Sequence, residues 1–314
     1  MRQLDVTLLA EAPAQRLASF RILTGAFAVG YLLVRLPYFL TVTRLDPARW
    51  DPPGALSVLG SPLTPGPAQA VLIATILAGI AFTLGWQYRV SGPTFALLLL
   101  CVLTYRNSWS HLFHSDNLLA MHVLIVGLAP AVDAWSVDAR RSALPAPSVR
   151  YGWPLRLAAF VTVLTYVVTG IAKLRYTGGE WLTGDTLLHQ ITFDNARKKV
   201  LGSPYSPLAA PLANHPGLVR PLGLATLVVE LGAPVALLSR RWATSWAASA
   251  WIFHVGIVAL MAISFPYPLS LVAYAPLFRC ERPFRSAAAA LGRRRGRRAQ
   301  ELRADRHGGL DEIQ

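Results

Sequence analysis

Two long stretches of this chain carry no charge. No Asp, Glu, Lys or Arg occurs between Asp51 and Arg89, and none occurs between Arg241 and Arg279. About 20 apolar residues carry a helix across the hydrocarbon of a bilayer. The second stretch is too long for one crossing, and Pro266 with Pro268 divides it into two, because a helix ends before a proline. These stretches specify an all-α fold, a polytopic transmembrane helical bundle. Composition agrees: 54% of the 314 residues are hydrophobic and 15% charged, against about 25% charged in soluble domains.

Apolar runs place spans near residues 17–40, 68–87, 92–106, 117–135, 154–174, 219–238, 243–264 and 267–279. That count is about eight. The third and eighth runs are short enough to be tilted, re-entrant or covered by neighbours, which makes seven the other count. Lys and Arg near span ends set the orientation. Arg2, Arg16, Arg89, Arg140, Arg141, Arg150, Arg240, Arg241 and the C-terminal tail mark one side as cytoplasmic. Arg197, Lys198 and Lys199 on the other side dissent, but they lie in a long connection, where charge has less influence on topology. The expected organisation is a cytoplasmic N-terminus (1–16), a transmembrane domain (17–285) with no soluble domain, and a basic, disordered cytoplasmic tail (286–314). The expected location is the cell membrane, multi-pass, with both termini cytoplasmic.

A net charge of +14 invites a nucleic-acid reading, but ten arginines lie at or beyond Arg279, including the run GRRRGRR. Beside an apolar body, such a run suits anionic lipid at the cytosolic surface. The lipid bilayer is the expected partner, and no nucleic acid is expected. Cys101 and Cys280 form no CxxC pair and no disulfide framework.

Intramembrane ionisable groups cost about 2.5–3.5 kcal/mol each on insertion scales, so each calls for a reason. Lys173 stands at the end of the fifth apolar run, in YVVTGIAKLRYTGGEWLTGD. It either snorkels to the headgroups or serves as a desolvated base. The segment NSWSHLFHSDN (107–117) gathers Trp109, His111, His114 and Asp116 between two apolar runs, as a polar loop or as part of a site. His111, His114 and His122 are not spaced for one helix face and no HExxH occurs, so no metal is expected. Glu230 lies inside the sixth run, where burial calls for protonation or a partner such as Arg21, Arg35 or His254. Its pair is structural or functional. His254 reads as a core histidine, and residues 181–192 as an amphipathic helix lying along the interface. P-loop, Rossmann and GxSxG patterns do not occur, which argues against nucleotide chemistry and serine hydrolysis.

Three segments, in order, resemble the vitamin K-dependent gamma-carboxylase family and its bacterial relatives, the HTTM (horizontally transferred transmembrane) domain proteins. GIAKL followed by GGEWLTGDTL supplies Gly170, Lys173, Leu174, Trp181 and Gly184. Ser108, Trp109, His114 and Ser115 form the second match, followed by an apolar run that ends in Asp133, Ala134, Trp135, Ser136 and Val137. The third is the arginine-containing first span, ASFRILTGAFA. The resemblance covers about residues 15–280. Two positions depart from the family: Phe113 precedes His114 where the family has Asn, and Ala172 replaces one of two adjacent lysines.

The resemblance implies that Lys173 is a base that deprotonates reduced vitamin K or menaquinone, with oxygen and carbon dioxide as co-substrates, and that His114 assists it. His111, Trp109, Trp181, Glu230 and Arg21 are the candidate substrate-binding residues. The carboxylases carry a large lumenal portion that this sequence does not show, so a different substrate, such as a secreted peptide, is expected. The alternative is a non-enzymatic membrane factor for export or maturation of a secreted peptide. A transporter has the least support, since no internal repeat is visible.

Overall fold

A computed structural model describes residues 10–109 and 114–286. Most of the described residues are helical, and one isolated antiparallel bridge joins Ala12 and Ser148. In order, the helices are α1 (Ala14–Val34), α2 (Leu36–Val42), α3 (Pro65–Leu84), α4 (Tyr88–Asn107), α5 (His114–Gly127), α6 (Val149–Thr177), α7 (Glu180–Thr183), α8 (Asp185–Val200), α9 (Ala209–Ala213), α10 (Val219–Leu231), α11 (Arg240–Met261) and α12 (Pro266–Leu269). Short 3-10 turns cover Ala233–Leu237 after α10 and Val272–Leu277 after α12. Helices α1, α3, α4, α6 and α11 are long and apolar enough to cross a bilayer. Their outward faces stay apolar: Ile73 and Leu77 of α3 are 54% and 61% exposed. A soluble protein rarely leaves such a stripe bare, whereas lipid covers it without cost.

The boundaries follow local chemistry. Pro37 ends the first span early, splitting the expected 17–40 run into α1 and α2 around Arg35. Gly85 adopts a left-handed φ of 66° and closes α3. The carboxylate of Asp138 accepts the N–H groups of Gln87 and Tyr88 at 3.0 and 2.9 Å, placing an anion on the positive end of α4. The third span is therefore a full 20 residues, longer than the uncharged run, because Arg89 and Arg106 sit within the helix ends. The sixth and eighth runs are shorter or broken. Gly232 and Pro234 turn α10 into a 3-10 segment, and Leu271, with φ 65°, interrupts the last run. Neighbours cover that broken stretch, leaving Tyr267, Ala273 and Tyr274 buried.

Both ends of the transmembrane body meet at one end of the bundle. Arg16 donates to Glu281 from Nε and Nη2 at 3.1 and 3.0 Å, and Trp135 packs against Phe284. Glu281 and Arg16 thus lie on the same side. At that end Arg21, wholly buried, donates to the carbonyls of Ala131 and Trp135, both at 2.6 Å. The opposite end holds the residue 43–64 connection, Ser108 and the C-terminus of α6. There Ser108 O accepts from the Asp51 N–H at 2.9 Å.

The dissenting basic cluster has local work to do at this opposite end. Arg197 and Lys198 pair with Asp194 at 2.9 and 2.7 Å, and Lys198 also donates to Met261 O at 2.6 Å. A cation on the last carbonyls of α11 opposes the negative end of its dipole. The expected amphipathic helix at 181–192 is α7 and α8, whose Trp181, Leu187 and Ile191 form a separate apolar cluster with Leu212, Val219 and Leu227.

Candidate functional site

Helix α6 delivers Lys173 one turn before its C-terminus, and α10 brings Glu230 against it. Lys173 Nζ donates to Glu230 Oε1 at 2.6 Å. The Glu230 side chain is 2% exposed and that of Lys173 18%. Of the partners expected for Glu230, neither Arg21 nor Arg35 reaches it. The pairing cation is Lys173, so the lysine's charge is not spent in the headgroups. The second oxygen, Oε2, is buried and has no partner among the described residues. A carboxylate can accept about four hydrogen bonds, so this oxygen keeps unused capacity.

Glycines make the approach of the helices feasible. Gly170 is one turn before Lys173 on α6, and a Cβ there would come within 2.8 Å of Leu231 and 3.1 Å of Glu230 Cβ. After Thr177 the chain turns through Gly178, runs through α7, and reverses at Gly184, φ 92°. That left-handed conformation suits glycine, and a Cβ added at Gly184 would come within 2.8 Å of the Arg220 backbone nitrogen. Gly223 lets α10 close on the Trp181 carbonyl. The Gly-x-x-Lys and Trp-x-x-Gly spacings therefore encode the crossing of α6, α7 and α10.

Aromatic rings surround the ammonium. Lys173 Nζ lies 4.5 Å from the ring centroid of Trp181 and 5.5 Å from that of Phe253 on α11. Trp181 is held in place by an Nε1 hydrogen bond to Thr226 Oγ1 at 3.0 Å. Two turns down α6, on the same face as Lys173, Tyr166 bonds Tyr274 hydroxyl to hydroxyl at 2.7 Å and packs against His254. His254 is anchored through Nδ1 to Ala250 O at 2.8 Å. A carbonyl only accepts, so Nδ1 carries the proton. The arrangement offers a fixed cation, an acceptor oxygen and two ring faces, which suits a planar ligand with an ionisable hydroxyl.

Lys173, Glu230 and Trp181 thus converge. Trp109 does not join them; it packs on Trp50 and Tyr105, at 5.2 and 5.9 Å between ring centroids. Arg21 sits at the other end of the bundle. His111 and the side chain of His114 lie outside the described residues, as does the basic tail from residue 287. The neighbouring polar residues instead build a second buried pair. Arg106 on α4 contacts Asp116 on α5 and donates to the Tyr31 hydroxyl at 2.8 Å. His122 is a core histidine, bonded to the Tyr267 hydroxyl at 2.7 Å and to Ala158 O at 3.1 Å. Sequence reasoning missed Phe253 and Thr226. Their only signal is proximity to His254 and Glu230 in sequence.

A family model for the HTTM domain matches residues 11–281. No curated protein matches the chain, and no solved structure does. The match takes in the whole transmembrane body, from the residue before the Ala12 bridge to Glu281, and with it all three resembling segments. This chain, a multi-pass helical membrane protein, belongs to the HTTM domain family.

Proposed function

We propose that the Lys173–Glu230 site belongs to a membrane enzyme of the gamma-carboxylase type, facing outward and acting on a hydroquinone of the reduced vitamin K or menaquinone class. The observation that carries this reading is the buried lysine–carboxylate pair, with one carboxylate oxygen unpartnered among the described residues and the rings of Trp181 and Phe253 near the ammonium. These residues fit a hydroquinone: the rings suit its planar body, Glu230 Oε2 its hydroxyl, and Lys173 the oxyanion formed on ionisation. The reduced quinone, when bound, supplies the electrons that reduce oxygen and so generates a base strong enough to open carboxylation at carbon. The chain's own residues hold the ring, accept the hydroxyl proton and stabilise the charge. The acceptor of carbon dioxide is a peptide presented from the outer side.

The test is epoxide formation by the purified protein supplied with reduced vitamin K or menaquinone, oxygen and carbon dioxide. Wild type should form epoxide, Lys173→Ala should lose at least tenfold, and His114→Ala should lose activity if its side chain serves the same site. No epoxide from wild type, or equal rates in Lys173→Ala, overturns the reading.

A further inference from the structure

At the end of the bundle that carries the 43–64 connection, the helices leave a cavity of about 220 Å³. Helices α2, α3 and α4 form its walls, and the connection forms its roof. Leu56, Leu59 and Leu63 come from the connection, Leu72 from α3, and Leu98 and Val102 from α4. Three hydrogen bonds fasten the roof. Trp50 Nε1 donates to Leu59 O at 3.0 Å, the Tyr105 hydroxyl to Leu63 O at 3.2 Å, and the Asp51 N–H to Ser108 O at 2.9 Å. Along α4 the lining runs from Leu98 to Arg106, about 12 Å at the rise of an α-helix. The space is therefore elongated along the helix, as the hydrocarbon chains of a bilayer are. Cys101 also lines it and is exposed. Its α4 neighbours Leu97 and Leu100 are exposed too, so the lining continues into the surface that lipid covers.

The chemistry of the lining selects the guest. Its polar side chains are already engaged: Thr43 Oγ1 donates to Leu40 O at 2.8 Å and accepts from Gln69 at 3.3 Å, the Tyr105 hydroxyl serves Leu63, and Arg106 pairs with Asp116. An apolar cavity of about 150 Å³ stays dry and accepts a benzene-sized guest, so this larger one is a place for hydrocarbon and not for water. A quinol ring, a sugar or a peptide backbone would bury polar groups there without partners, at a cost. The hydrocarbon at the opening is that of the bilayer. We propose that the cavity holds part of one acyl chain of a phospholipid, which enters past Cys101 and fills the space beneath the 43–64 connection. The ester end stays at the surface, where the exposed Arg44 follows Thr43. The chain then supports Leu56, Leu59 and Leu63 from below. This site is separate from the Lys173–Glu230 pair, since α3 and α4 pack on α1 and α5 while the pair joins α6 to α10. It stands whether or not the hydroquinone reading does.

The test places the full-length protein in phosphatidylcholine vesicles containing a phosphatidylcholine with a photoreactive diazirine in the glycerol-proximal half of one acyl chain. Mass spectrometry maps the labelled residues. Leu72 and Val102 are 2% and 7% exposed, so surrounding lipid does not reach them, and label there reports an occupied cavity. Wild type should carry it. The lipid-facing Ile73 and Leu77 take label in either case and serve as the reference. Ala68→Phe, which puts a ring into the cavity, should cut label on Leu72 and Val102 at least tenfold and leave Leu77 unchanged. Val71→Phe, from the same wall, makes the same measurement if Ala68→Phe does not fold. Label confined to Ile73 and Leu77 in wild type overturns the proposal. So does label on Leu72 that survives a folded cavity-filling variant. Excess palmitic acid added to the vesicles separates the two sources of such a chain. Label on Leu72 should persist, and its loss would assign the cavity to a free fatty acid and overturn the phospholipid assignment.

Discussion

Arg16 and Glu281 are joined by two hydrogen bonds across 265 positions of sequence. Burial works against the Glu281 carboxylate, but bonds from Arg16, its own backbone and the nearby charge of Arg279 outweigh it and lower its pKa. A depressed carboxyl contributes stability that is fully present above the unfolded pKa, about 4.3 for glutamate, and is lost as pH falls through the lower folded value. Glu281→Gln should therefore lower stability at neutral pH by about 1–3 kcal/mol. Thermal unfolding in detergent should show that difference at pH 7 and show it shrinking in acid. A constant difference across that range would mean that the bond does not depend on the ionised carboxyl.

Gly170 should tolerate alanine better than valine. The nearest obstacle to an added Cβ is the end of the Leu231 side chain, which can rotate, but Glu230 Cβ lies only 3.1 Å away. A branched residue pushes α10 away from α6, at a cost of about 1–3 kcal/mol for overpacking. Gly170→Val should reduce epoxide formation in parallel with stability, and Gly170→Ala should reduce neither more than slightly. Circular dichroism melts and epoxide yield together check this.

Arg21→Lys should destabilise without touching the site. One ammonium cannot reach the carbonyls of both Ala131 and Trp135 as the guanidinium fork does, and each orphaned buried carbonyl costs about 1–3 kcal/mol. The melting temperature should fall while epoxide formation at a permissive temperature stays unchanged. A selective loss of epoxide formation would instead make Arg21 a ligand-binding residue.

Breaking the Arg106–Asp116 pair should be harsher. Both groups are buried and Tyr31 is bonded into the pair, so Asp116→Ala leaves a cation without its carboxylate, costing about 3–5 kcal/mol. Expression and unfolding of Asp116→Ala beside Asp116→Asn would measure it. Equal stability of both variants with wild type would show that Arg106 finds compensation elsewhere.

Long charge-free runs made the bundle legible, because only helix satisfies its own backbone in hydrocarbon. Lys173, Trp181 and Gly184 were legible through the family resemblance. The partnership of Lys173 with Glu230 was not. Glu230 is 11 residues into α10 while Lys173 is only four from the end of α6, so residue counts put them at different depths. The first turns of α10 instead pack on Trp181, through Gly223, and its last turn meets α6 at Gly170. Span length misled as well: the third run, placed at 92–106, looked short, yet α4 extends from Tyr88 to Asn107 and takes in both Arg89 and Arg106.

Gly92 and Gly127 face each other with a would-be Cβ only 2.6 to 2.7 Å from the opposing carbonyl, and the Arg106–Asp116 pair ties the same two helices roughly 20 Å away by helical rise. The α4–α5 hairpin is thus fastened at both extremities by residues of its own. The charge of Arg106 is met by a carboxylate on the very next helix, so the pairing that neutralises this buried arginine needs no residue from α6 or beyond.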